Sequence, residues 1–403
     1  MTEKRMVSST PPRVLLFAIQ TSHAGSCRLP KLFKEAGFQV GVLGLRSSLL
    51  RASRHSDERF RLRARRFEPL IRSSIEKAFA AFRPDIIVPC DERAVSIVDY
   101  WIGGGQQVSS LSADLRDCLI TSLGKPERLA ERSSKLRTLE LARSIGVRTP
   151  RETKVTSRAE CEQVAASFGY PVILKLSHGA GGNGVRLCRT AEQLGVAFRD
   201  FERGLSAVKV WRRRLLRRDW FGSHFDILVQ EFIPGCPAMS CIAVAGGRSL
   251  SIVTGFAENV TEPMGPASIV RIVDIPEIRQ MTQAMAKAFE ASGFLSFDFI
   301  VDEAGSAVLL ECNARPTQIM HLGHLVDVDL ARAFLGALQG AHEAPCEAPR
   351  GEREVAFFPQ EWRRDPTSST IATGFHDVPW EDPALLRAIL GKRPVNWRRR
   401  HIP

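Results

Sequence analysis

The chain has no cysteine pair in CxxC spacing, no GxSxG, no GxxxxGK[ST], and no GxGxxG directly after its first apolar strand. Each absence removes a class: a zinc ribbon or dithiol redox centre, a nucleophile-elbow hydrolase, a Walker P-loop, and a dinucleotide fingerprint at the first strand. Long apolar runs are missing too. The first, Val14 to Ile19, spans six residues, too short for the core of a signal peptide and far below the ~20 of a membrane span. The nine cysteines are odd in number and scattered. That pattern speaks for free thiols in a reducing compartment and predicts a cytoplasmic protein.

What is present is ordinary globular material. With 403 residues, 44% apolar and 25% charged, the chain is too long for a disulfide-stapled miniprotein and too apolar for a disordered one, and two or three lobes are expected. Lysine and arginine number 56 against 44 acids, a formal charge of +12. Such a field attracts nucleic acid, anionic lipid, or a nucleotide and carboxylate substrate, and charge alone does not choose among them.

Short apolar strands alternate with amphipathic segments from Arg13 to about Trp101. RVLLFAI, FQVGVLGL and DIIVPC read as strands and Leu29 to Gly37 as a helix closed by glycine, so a small parallel sheet is expected. Eight arginines from Arg46 to Arg66 read as a solvated helix face. Further on, helices are predicted over 135–145, 158–168 and 276–291, and strands at PVILKLS, DILVQEF, CIAVAGG, SLSIVTGFAE and EVAFFP.

The hairpin FLSFDFIVDEAGSAVLLECNARP carries the most chemistry. Placing its turn between Ala304 and Gly305 sets Asp298 opposite Glu311, on one face, with Cβ atoms ~4.5 to 5.5 Å apart. Asn313 and Arg315 continue that row. Two opposed carboxylates flanked by Phe297, Phe299 and Leu310 repel unless a cation intervenes, and carboxylate and amide oxygens are what magnesium takes. A solvent-facing polar edge is the bland alternative. A glycosidase-like acid/base pair would leave Asn313 and Arg315 unexplained. In PVILKLSHGAGGNGV a strand delivers Lys175 into a loop containing Gly181, Gly182 and Gly184, where backbone amides can approach phosphates.

Lys135 before GVRTP, then Lys175 with its glycine loop, VQEFIPG, Asp298 and ECNAR together resemble the ATP-grasp superfamily, especially its carbamoyl-phosphate-synthase and biotin-carboxylase-like branch. The likeness spans residues 13–325. It implies an α/β ATP-grasp fold with a Rossmann-like pre-ATP-grasp lobe over 13–115, an ATP-grasp domain over 116–325 with a lid at about 150–230, and a C-terminal extension over 326–403. It implies ATP and Mg²⁺, with Mn²⁺ as a substitute. By resemblance Lys135, Lys175 and the loop glycines hold phosphates, Glu231 and the Ile233 backbone meet adenine, Asp298, Glu311 and Asn313 ligate the metal, and Arg315 sits beside an acyl-phosphate oxyanion. Lys175 and Arg315 are the catalytic candidates. AENVTEPMGPAS resembles the branch's loop that approaches the nucleotide and first substrate. Two departures stand out: Asn183 where a basic residue is common, and Ala238 near a usual ribose-contacting carboxylate, with Arg186 or Glu258 as substitutes.

Other residues weigh less. His321 and His324 read as structural, His178 as a loop bystander, and Cys312 as packed on the face opposite the ligands. WRRRLLRRDW reads as an amphipathic lid helix packed through Val208, Trp211 and Leu215. The function implied is an ADP-forming ligase that makes an acyl phosphate from a small carboxylate and couples it to an amine. The alternatives are a noncatalytic nucleotide- or polyanion-binding protein and a small-molecule kinase. Small-molecule carboxylate and amine partners are expected, nucleic acid is not, and a homodimer stays open.

Overall fold

The computed structural model describes residues 11–103, 111–177, 184–204, 207–218, 220, 226–341 and 348–391. Four strands open the chain: β1 (Arg13–Phe17), β2 (Gln39–Gly44), β3 (Glu58–Arg61) and β4 (Ile86–Pro89). They pair in parallel in the order β3-β2-β1-β4. Consecutive apolar residues are needed because both faces are covered. Val14 and Leu16 join one core with Val40 and Val88, while Leu15 and Phe17 join another with Ile71, Ile87 and Val98.

The arginine-dense stretch is not one solvated helix face. It contains a four-residue helix, Leu49–Ala52, and the edge strand β3. An edge strand tolerates charge on most positions. Phe60, set edge-on to Phe82 at 6.0 Å, and buried Leu62 hold the segment to the lobe.

One carboxylate ties the ends of β1 and β4. Buried Asp91 accepts hydrogen bonds from the Ile19 and Gln20 amides at 2.7 and 2.8 Å. It also caps helix Glu92–Ile102 through the Arg93 and Ala94 amides at 3.0 Å each.

The next sheet is antiparallel, with β5 (Glu152–Val155), β6 (Val172–Leu176), β7 (Val185–Cys188) and β8 (Ile227–Glu231) in the order β5-β8-β6-β7. Helices Arg158–Phe168 and Ala191–Gly204 cover it through Cys161, Ala165, Leu194 and Phe198. Helix Ala207–Leu215 forms as expected, but its apolar face does not pack: Val208, Trp211 and Leu215 are 74, 64 and 65% exposed. The preceding helix already fills that core. Trp220 is anchored among the side chains packed on the first parallel sheet.

Seven strands form the largest sheet: β9 (Gly235–Ala245), β10 (Arg248–Val260), β11 (Ala267–Ile272), β12 (Gly293–Asp302), β13 (Ala307–Asn313), β14 (Arg353–Ala356) and β15 (Phe375–His376). Their order is β13-β12-β9-β10-β11-β14-β15, so residues beyond 326 extend this sheet. Helix Pro276–Ala288 stops short of the expected Ala291, with Phe289 as its C-cap and Glu290 left-handed at φ 46°. One face of the sheet shares a core with the parallel lobe, and the other packs helices Pro276–Ala288 and Lys135–Ser144. Arg28 and His321 both meet Asp377, at 3.3 and 3.0 Å, joining the C-terminal segment to the first lobe.

The β12–β13 hairpin reaches the expected register by an unexpected route. Its loop holds three residues, Glu303 to Gly305, with Gly305 left-handed at φ 80° and Asp302 Oδ1 accepting from the Ala304 and Ser306 amides. That places the turn one residue out of step with the sequence reading. A bulge between Asp298 and Phe299, with Leu310 the extra residue, restores it, and Asp298 faces Glu311.

This packing sets two stability outcomes. Asp91→Ala strands four backbone amides and should lower unfolding stability by at least about 3 kcal/mol in urea titrations. The combined change Val208→Ser, Trp211→Gln, Leu215→Ser touches only exposed positions and should shift stability by no more than about 0.5 kcal/mol.

Candidate active site

Asp298 and Glu311 lie at one end of the large sheet, and the Asn313 amide donates to Asp298 Oδ2 at 2.9 Å. Lysines from two other elements act on Glu311, Lys135 by contact and Lys175 through its charge. Ser134 caps helix Lys135–Ser144, which places Lys135 in its first turn, and Lys135 Nζ lies 2.6 Å from Glu311 Oε2. Lys175, on β6, is buried at 2.5 Å from Glu152 Oε2, which also accepts from Gln230 Nε2 at 2.7 Å. The charges of Lys135, Lys175, Glu152 and Glu311 act on one another, so three separate elements converge.

The electrostatics divide the two carboxylates. At cross-strand distance two anions repel by roughly 3 to 4 kcal/mol in an effective dielectric of about 20. Burial first, and then the charge of Glu311, raises Asp298 to about 7. Burial would raise Glu311 as well, but Lys135, by charge and hydrogen bond, and Lys175 hold it below the ordinary carboxylate range. Burial pushes Lys175 below an ordinary lysine, Glu152 works against that, and the charge of Lys135 adds to it.

Arg315 continues the row. Its Nε donates to Glu92 Oε1 at 2.7 Å and its Nη2 to Asn313 Oδ1 at 3.3 Å. Burial opposes its charge, and Glu92 more than restores it. His23 lies within reach of that charge, and burial lowers it to about 3, so it is neutral. Glu92 and Glu152 are site residues that the sequence reading missed. The signal for Glu92 was Asp-Glu directly after β4, where the end of a parallel strand meets a helix start. Glu152 carries no local signal beyond opening β5.

The remaining expectations divide. The Glu231 carboxylate is held by Arg151, at 3.1 Å from both the Arg151 amide and its Nη2. Ile233 is half-buried just past β8. Gly184 is left-handed at φ 88°, whereas Gly181, Gly182, His178 and Asn183 lie outside the described residues. Ala238 is buried between Phe256 and Phe299 as a strand partner. Glu258 pairs with Arg271 at 2.6 Å, and Arg186 lies over the Phe201 ring. AENVTEPMGPAS covers the end of β10, the turn after it and the start of β11. His324 Nδ1 lies 2.6 Å from the His321 carbonyl oxygen, and His321 meets Asp377, which fits a structural role. Cys312 pairs across to Phe297 on the face opposite the acids. Among the described residues no trio of His, Cys, Asp and Glu could hold a metal by itself. Two carboxylates and an amide suit a hard cation whose other ligands are phosphate and water oxygens.

Comparison with known proteins identifies the fold. Residues 134–208 match the family model for the ATP-binding domain of the carbamoyl-phosphate synthase L chain. The biotin carboxylase domain of Hydrogenobacter thermophilus 2-oxoglutarate carboxylase, solved with MgADP, ADP and bicarbonate, superposes with a TM-score of 0.61 over 84% of this chain and 73% of that one, at 18% identity. An N5-carboxyaminoimidazole ribonucleotide synthetase in its ADP complex gives 0.60 over 86% and 81%, at 12% identity. The fold is ATP-grasp. Among curated relatives, the D-alanine–D-alanine ligase of Ectopseudomonas mendocina is 27% identical over 199 residues, 46% of this chain and 56% of that protein. The 2-oxoglutarate carboxylase small subunit of H. thermophilus is 28% identical over 214 residues, 50% of this chain and 42% of its own length. The chain thus spans about half the length of these curated relatives. Among the described residues no helix of this ATP-grasp chain is long and apolar enough to cross a membrane.

The raised Asp298 carboxyl has a thermodynamic signature. A group whose folded pKa is raised stabilises the fold fully below its unfolded pKa, and that contribution is lost as pH climbs through the folded value. Between about pH 4 and about pH 7, wild type should therefore lose stability relative to Asp298→Asn, at up to about 1.4 kcal/mol per pH unit. Urea unfolding in magnesium-free buffer reads this directly, and the opposite slope contradicts the assignment.

Proposed function

We propose that this chain is an ADP-forming ligase that activates a small carboxylate with ATP and couples it to an amine. The observation that carries the reading is the Asp298–Glu311–Asn313 row with Lys135 in contact with Glu311, Arg315 in contact with Asn313, and the charge of Lys175 acting on Glu311 from another sheet. Asp298, Glu311 and Asn313 would hold Mg²⁺, which when bound neutralises charge on the β- and γ-phosphates. Lys135 and Lys175 bind the phosphate oxygens, each released from the carboxylate it now pairs with. Glu231 and the Ile233 backbone border the adenine. Arg315, held in place by Glu92, receives the carboxylate substrate and the oxyanion that forms on it.

A carboxylate oxygen attacks the γ-phosphorus, the bond to the ADP oxygen breaks, and an acyl phosphate forms. An amine nitrogen then attacks the acyl carbon, the carbon–oxygen bond to phosphate breaks, and inorganic phosphate leaves as the nitrogen loses its proton. No side chain becomes covalently attached. Burial raises the Cys312 thiol, which fits a packing role. The eight described cysteines are free thiols, in keeping with a reducing, cytoplasmic setting.

Glu311→Gln keeps the shape of the site but removes the charge that Lys135 contacts. ADP release with carboxylate and amine pools should fall by more than about 100-fold, a barrier increase of about 2.7 kcal/mol. Release within about threefold of wild type would reject the assignment.

A further inference from the structure

A cavity of about 210 Å³ lies against the face of β13 opposite Glu311 and Asn313. Cys312 and Ala314 line it from the strand, Glu92, Ser96 and Asp99 from helix Glu92–Ile102, and Arg132 from helix Pro126–Ser133. Glu92 is shared with the catalytic row, because its Oε1 accepts from Arg315 Nε at 2.7 Å.

Two opposite charges are buried here without meeting. Asp99 Oδ2 accepts from the Ser133 hydroxyl, while Asp99 Oδ1 is buried with no hydrogen-bond partner among the described residues. Arg132 is 2% exposed; its Nη1 donates to the Leu123 carbonyl at 2.6 Å, and its Nε is likewise without a partner. The two groups feel each other's charge but share no hydrogen bond. Burial raises Asp99 to about 6, with the charge of Arg132 and the Ser133 bond opposing, so the carboxylate is still mostly ionised at neutral pH. A buried anion and a buried cation that line one cavity, each with an unpartnered hydrogen-bonding atom, fit one molecule that carries the opposite charges. The cavity limits its size: about 150 Å³ accommodates benzene, so ~210 Å³ takes roughly six to nine non-hydrogen atoms.

We propose that this cavity binds a small α-amino acid as its zwitterion, the ammonium toward the Asp99 carboxylate and the carboxylate toward the Arg132 guanidinium. Its role as the amine-type nucleophile rests on the ligase reading above, whereas binding itself does not. Glu92 then separates the bound amino acid from Arg315 by a single side chain.

Isothermal titration of the full chain with glycine, L-alanine, D-alanine, L-serine and L-valine tests this, with MgATP titrated in parallel. At least one amino acid should bind, and its single-charge halves, such as ethylamine and propionate for alanine, should bind at least about tenfold more weakly. Asp99→Asn and Arg132→Gln should each weaken the amino acid by at least about tenfold. Ala130→Leu, which fills the cavity without touching either charge, should do the same. Unchanged MgATP binding certifies that each variant is folded. If none of the five amino acids binds at millimolar concentration, or if binding is unchanged in all three variants, the cavity holds water only and the proposal is overturned. Amino-acid binding without MgATP binding or ADP release would sustain the site and reject the ligase reading.

Discussion

The site is organised by the burial of two carboxylates on neighbouring strands. Asp298 and Glu311 face each other where burial and mutual repulsion both disfavour ionisation, and the nearby cations decide the outcome. Lys135 reaches Glu311, and Arg315 reaches the Asn313 amide that contacts Asp298. The result is asymmetric, with one carboxyl held high and the other held low. Isolated, either charge would be too costly to bury. Lys135 at a helix start offsets that cost by contact with Glu311, and the charge of Lys175 on another sheet adds to it.

That convergence depends on how the three sheets are joined. The parallel lobe and the large sheet share one core, in which Val14, Leu16 and Val40 pack with Cys241, Val253 and Phe294. Asp91 fixes the ends of β1 and β4 through four amides, and the next residue, Glu92, is thereby aimed at Arg315. The C-terminal segment closes the arrangement: Asp377 meets Arg28 from the first lobe and His321 from just past the β12–β13 hairpin. A charge network assembled from distant segments keeps its geometry only if the segments are packed to native density.

Much of this was legible along the chain because the signals were local. Alternation along ECNAR put Glu311, Asn313 and Arg315 on one face, and that holds. Glycines marked helix ends at Gly37 and Gly146, both at positive φ. The hairpin shows where local reading fails: the turn was placed one residue off, and only the unforeseen bulge at Asp298 restored the pairing. Glu92 and Glu152 were missed because an acid after a strand, or opening one, looks like any surface acid until its partner from elsewhere is in place. The arginine helix erred in the opposite direction. Val208, Trp211 and Leu215 have helical spacing, but whether such a face is buried depends on whether a neighbour has already filled the space, and the helix Ala191–Gly204 had.

Short-range rules determine which segments are strands and helices, which face of the hairpin carries Asp298, Glu311 and Asn313, and which motifs are present or absent, and the order of amino acids contains all of these. The pairings of charge needed the folded chain, because Lys135 with Glu311, Lys175 with Glu152 and Arg315 with Glu92 join residues 23 to 223 positions apart. Folding also brought Asp99 and Arg132 into one cavity without letting them touch. The physical reason is that hydrogen-bond geometry within a turn or ladder is set by neighbours in the chain, whereas burial and Coulomb interactions depend on distance in space, which folding alone establishes.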